Sequence, residues 1–136
     1  MSVPTVRVVV DSEVLAEDAK GEKSAKMAME IIRKCQWIVL VASTPLLDEA
    51  QKMVEMELGM ELAKKWRVST ESVCEIVDHP KRDHPALASA YMGNAQHIIS
   101  RDQRLTSVKA GVAIRAKVET SVKRPEAFVN LFENII

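Results

Sequence analysis

The hexapeptide "VRVVVD", residues 6–11, sets the reading of the whole chain. Four valines broken only by Arg7 make a short, β-branched, almost continuous apolar run. A half-exposed strand alternates apolar with polar residues, so this pattern predicts a strand covered on both faces. "WIVLVA" (37–42) has the same character, "HIIS" (97–100) is a third run, and "GVAIRAKV" (111–118) reads as a fourth.

Segments between these runs carry a helical period instead. "EKSAKMAMEIIRKC" (22–35) sets Met27, Ile31, Ile32 and Cys35 on one stripe. "STPLLDEAQKMVEMELGMELAKKW" (43–66) opens with a Ser/Thr cap and Pro45 in its first turn, a strong helix start. Leu46, Leu47, Ala50, Met53, Val54 and Leu58 mark its inward face, and Gly59 is a point of interruption. "STESVCEIV" (69–77) is ambiguous, with Val73, Ile76 and Val77 favouring a helix over a strand. "HPALASAYMG" (84–93) is helical with Gly93 as its stop, and "RPEAFVNLFENII" (124–136) closes the chain as a striped helix.

Strands alternating with helices predict an α/β fold: a three-layer open parallel β-sheet flanked by helices, one domain over residues 1–136. In such sheets ligands sit beyond the carboxyl ends of the strands, where the strand order switches.

Composition narrows the function classes. Lys plus Arg number 19 and Asp plus Glu 19, so the formal charge is zero. Bulk attraction to nucleic acid or an anionic membrane is excluded, and only local patches remain for such partners. Cys35 and Cys74 lack metal-ligand spacing and read as reduced, packed thiols. The opening "MSVPTVRVVVDSEV" has too short an apolar run for a signal peptide or membrane span. The expectation is a cytoplasmic protein with no membrane partner.

The acids repay attention one by one. Asp11 closes the first strand, where a lone acid is commonly a turn former or cap. Glu49 lies one turn inside the second helix, where the helix dipole favours a carboxylate. Asp83 is a ready N-cap for the helix from residue 84, and Asp102 follows the third strand and can cap a short helix through "QRLTSV". Each has an ordinary explanation alone. A doubly wound sheet, however, can bring all four to one crevice, where unpaired carboxylates repel and raise each other's pKa. A hard divalent cation removes that repulsion, and oxygen ligands favour Mg²⁺ or Mn²⁺.

In order along the chain, "VVVDSEVL", "LLDEAQKM", "DHPALASAYMGNAQHIISRDQRL" and "KRPEAFVNLF" resemble the PIN-domain ribonucleases. The most specific part is an acid, three residues, Leu-Ala, a small residue, then an apolar strand ending Ser/Thr-x-Asp-x-x-Leu. Asp83, Leu87, Ala88, Ala90, Ser100, Asp102 and Leu105 meet it. Asp11, Ser12, Val14 and Leu15 match the first motif, and Leu47 with Glu49 matches the helical Leu-x-Glu, with Asp48 as the less favoured register. Glu13 departs from the family's usual Asn or Ser, and the segment from Gly59 to Asp83 matches weakly enough to question one further strand.

What the resemblance implies is metal-dependent hydrolysis of phosphodiester bonds in single-stranded or structured RNA. Asp11, Asp83 and Asp102 would hold Mg²⁺ or Mn²⁺, and Glu49 would complete the set or orient water. Ser12 and Ser100 would fix carboxylate orientation. Arg101, Arg104 and Arg82, with Lys81, read either as a solvated rim or as a grip on phosphates. His84, beside Asp83, reads as a helix-start residue rather than a general acid. Small stand-alone members of that family act as toxins paired with an antitoxin protein or as RNA-processing nucleases, so both roles and a homodimer are expectations.

Two other classes compete. A receiver-like phosphoacceptor domain fits the length and alternation but needs an Asp after the third strand and a Lys after the fifth. A non-catalytic domain of the same fold could act through oligomerisation, using the apolar stripe of "AFVNLFENII".

Overall fold

Val8, Val9 and Val10 are fully or almost fully buried, as a strand enclosed between two helical layers must be. The computed structural model describes residues 5–78, 84–106 and 120–132. Strand β1 is Val6–Val10, β2 Ile38–Ser43, β3 Cys74–Val77, β4 His97–Ile99 and β5 Ser121–Lys123. All neighbours pair in parallel, in the order β3-β2-β1-β4-β5. Val9 stands opposite Val41 on one side and Ile98 on the other, so the sheet's centre is built from fully buried apolar residues.

Helices occupy the crossovers, and the architecture is the expected three-layer open α/β sheet. They are α1 Ser12–Lys20, α2 Lys23–Lys34, α3 Thr44–Leu58, α4 Met60–Glu71, α5 Pro85–Gly93, α6 Gln103–Thr106 and α7 Pro125–Phe132. Asp11 caps α1, and Gly21 ends it in the left-handed region at φ 87°, where a side chain would be strained. Ser43 caps α3 ahead of Pro45, as the sequence indicates. Gly59, at φ 92°, breaks the long helical pattern into α3 and α4. Helix α2 packs against α7, α1 against α3, and α5 against β1 and β2. Phe128 and Phe132 of α7 turn inward and meet each other with ring centroids 4.6 Å apart.

Several expectations are corrected. Residues 74–77 form strand β3 rather than helix: they extend the sheet beside β2, and this edge position leaves Glu75 and Ile76 exposed. The strand questioned between Gly59 and Asp83 is therefore present. Helix α5 ends with Gly93, but the residue that takes the left-handed cap conformation is Asn94, at φ 51°. Its N-cap is His84, not Asp83. Leu58 lies at the exposed end of α3. The strand expected over 111–118 lies outside the described residues.

Candidate functional site

Chain order reverses between β1 and β4, so the crevice beyond their carboxyl ends is the switch point of the sheet. Asp11 follows β1 directly, and Asp102 comes three residues after Ile99 at the end of β4. Register fixes both: Val10 pairs with Ile99, and the Asp11 N–H donates to the Ile99 carbonyl at 2.8 Å.

Asp11 is buried, and its carboxylate is held at both oxygens. Oδ1 accepts the Ser12 backbone N–H at 2.8 Å, and Oδ2 accepts the Ser100 hydroxyl at 2.7 Å. Ser100, itself fully buried, accepts the Asp102 N–H at 3.0 Å, so one hydroxyl ties the two acids together. Ser12 donates its hydroxyl to Glu49 Oε1 at 2.7 Å. Glu49 is exposed on α3, and this single hydrogen bond anchors it one side chain away from Asp11. Thus the Ser12 hydroxyl is bonded to the Glu49 carboxylate, and the Ser100 hydroxyl to that of Asp11.

Asp102 Oδ1 accepts the Arg104 N–H at 2.9 Å, which starts the short helix α6. The Arg104 guanidinium donates to Oδ2 at 2.6 Å. That contact, first, holds the Asp102 carboxyl well below the usual carboxylate range, against the opposing effect of burial and with help from the Arg104 N–H and His84. Reciprocally, Asp102 raises the pKa of Arg104. His84 adds an imidazole: Nε2 lies 3.1 Å from Asp102 Oδ2 and 4.0 Å from Asp11 Oδ2. One ligand atom from each of Asp11, His84 and Asp102 lies within 4.8 Å of the others. His84 was legible in the sequence only as a helix-start residue. Nothing local links it to Asp102, and α5 packing on the central strands brings it there.

The donor set fits a hard divalent ion. Asp11 Oδ2 accepts one hydrogen bond and keeps a lone pair for a cation. Both Asp102 oxygens, by contrast, are met by Arg104 and Oδ2 also by His84, so Asp102 would ligate an ion as Arg104 gives way. Asp83 and Arg82 lie outside the described residues, as does Lys81. Glu13 points away: it is exposed and lines a cleft of about 260 Å³ between α1 and α3 with Glu17, Lys20, Met53, Met56 and Glu57.

The arginines divide. Arg104 is exposed beside the acids. Arg101 is mostly buried and joins Glu17 (2.7 Å), Glu22 (3.3 Å) and Glu126 (2.7 Å), which ties the end of β4 to α1, α2 and α7. Burial works against its charge, but the hydrogen bonds it donates to Glu17 and Glu126 outweigh that and raise its pKa. A further buried link, unforeseen from the sequence, sets Ser89 Oγ of α5 2.8 Å from Ser43 Oγ at the end of β2.

Among the described residues no helix is long and apolar enough to cross a membrane. No curated protein and no solved structure matches the chain. A family model does match, over residues 2–135. The chain therefore belongs to this family, a family of unknown function (DUF7384).

Proposed function

We propose that the chain is a Mg²⁺- or Mn²⁺-dependent endoribonuclease that hydrolyses phosphodiester bonds of single-stranded or structured RNA. One observation carries the reading: Asp11 and Asp102, distant in sequence, converge at the switch point of a parallel sheet with Glu49 one hydroxyl away. Asp11, Asp102 and Glu49 would hold the cation, joined by Asp83, which precedes His84 in the sequence. A bound divalent ion offsets charge on the scissile phosphate and makes water a stronger acid. Ser12 and Ser100 keep the carboxylates aimed, so that little reorganisation accompanies the reaction. Arg104, exposed beside Asp102, is suited to a substrate phosphate, whereas Arg101 is committed to its three carboxylates. With no net positive charge, RNA binding is modest and strongly salt-dependent.

In this reading the protein acts in the cytoplasm, either as a toxin held by an antitoxin protein or as an RNA-processing nuclease, as monomer or homodimer. Two observations disfavour the receiver-like alternative. The order β3-β2-β1-β4-β5 departs from the 2-1-3-4-5 order of receiver-type sheets, and Asp78 follows edge strand β3, two places from β1. A purely binding role draws support from exposed Met56, Met60, Leu62 and Val68 along α3 and α4.

Labelled RNA incubated with Mg²⁺ or Mn²⁺ tests the proposal, with Asp11→Asn and Asp102→Asn beside the wild type. Cleavage that falls at least about 100-fold in both variants supports it. Equal cutting by all three, or none by the wild type across metals and RNAs, removes it and leaves the binding role.

A further inference from the structure

His84 sits among the acids in a way that invites its counting as a metal ligand, yet its hydrogen bonds argue otherwise. As the N-cap of α5 it accepts the Ala86 N–H on Nδ1 at 3.2 Å. An imidazole with its Nδ1 lone pair so engaged carries its proton on Nε2. Nε2 is the atom that lies 3.1 Å from Asp102 Oδ2. The contact is therefore a donor meeting a carboxylate, not two lone pairs awaiting a cation. A ligating histidine needs the reverse: a bare Nε2, with the proton on Nδ1 donated elsewhere. Here that tautomer would set Nδ1–H against the Ala86 N–H and break the cap. The ring cannot easily turn, because its side chain is only 17% exposed and α5 packs against β1 and β2.

We propose that His84 is a positioning residue, an N–H donor fixed by its helix cap that orients Asp102, and that it stays out of the metal's coordination sphere. This rests on the metal-site reading above and deepens it. Arg104 and His84 together then hold Asp102 Oδ2 in place, and every ligand drawn from Asp11, Asp102 and Glu49 is an oxygen. An oxygen-only set selects Mg²⁺ and Mn²⁺ rather than the imidazole-seeking Zn²⁺ or Ni²⁺.

The test uses the full chain with ¹⁵N-labelled histidine. In metal-free protein, NMR shows the His84 proton on Nε2, a readout that does not depend on any nuclease activity. After Mn²⁺ is added, pulsed EPR shows no directly bound histidine nitrogen that vanishes in His84→Asn. That variant keeps a capping oxygen for Ala86 N–H but loses the donor to Asp102, and it binds Mn²⁺ about 10- to 100-fold more weakly. Protection of the Ala86 amide in the variant reports that the helix start is intact. A proton on Nδ1, a bound His84 nitrogen, or unchanged Mn²⁺ affinity in His84→Asn overturns the assignment. Failure of the wild type to bind Mn²⁺ at all is a different result: it removes the metal-site reading and this role with it. An Mn²⁺ site that behaves as stated in a chain that cuts no RNA leaves the His84 assignment standing.

Discussion

Ser100 donates its hydroxyl to Asp11 across the seam between β4 and β1, 2.7 Å from oxygen to oxygen, with both residues buried. The same hydroxyl receives the Asp102 N–H. Ser100→Ala strips both acids of that support and leaves a buried carboxylate oxygen and a backbone N–H short of a partner. The expected cost is about 1–3 kcal/mol of unfolding free energy, with Mn²⁺ affinity lowered roughly 10- to 100-fold. Urea denaturation and Mn²⁺ titration measure the two. A variant matching the wild type in both would show that the shared hydroxyl does not organise the site.

Arg101 behaves as a brace. Arg101→Met leaves Glu17, Glu22 and Glu126 without their common partner and costs on the order of 1–3 kcal/mol, seen as a thermal midpoint several degrees lower. If the chain binds RNA as proposed, the affinity of the folded variant and its salt dependence stay near wild type. Unchanged melting with lost RNA binding is the contrary outcome, and it would return Arg101 to the list of phosphate contacts.

Gly93 is a packing requirement. A Cβ built there would collide with Cγ1 of Val41, a stiff, fully buried side chain at the heart of β2. Gly93→Ala forces α5 away from the sheet at a cost of about 1–3 kcal/mol. Chemical denaturation decides it, and a neutral substitution would mean that α5 is not seated as described.

His97 makes stability depend on pH. Burial, assisted by the charge of Lys123, lowers its pKa from 6.5 to about 4. The unfolded chain therefore takes up the proton first as pH falls. Stability from the neutral ring is fully present above pH 6.5 and is lost between 6.5 and about 4. Because the ring is only half-buried, solvent screening reduces the effect to roughly 1 kcal/mol. Unfolding free energies of wild type and His97→Leu across this window, subtracted, isolate the slope. Parallel curves would refute the assignment.

What the sequence made legible follows from burial. β1, β2 and β4 announce themselves because their side chains are apolar on both faces, as in Val8, Val9, Leu40, Val41, Ile98 and Ile99. β3 does not, because an edge strand exposes Glu75 and Ile76, and the spacing of Val73, Ile76 and Val77 then imitates a helix. No long apolar run in the sequence marks α1, although Asp11 at its cap is visible. Asp11 and Asp102 were legible because their places after strands are sequence features. The role of Ser43 and Ser89, and the approach of His84 to Asp102, come from α5 lying over the central strands. No local pattern encodes that.

The pairing of Val10 with Ile99 has a last consequence. Asp11 is set by a peptide ladder in the middle of the sheet, and Asp102, three residues past β4, is tied to it through the Ser100 hydroxyl. Amide protons on the floor of the crevice, that of Asp11 among them, should exchange with deuterated water only when the whole molecule opens. On the proposed reading, a visiting cation or nucleic acid would find a preformed fitting there.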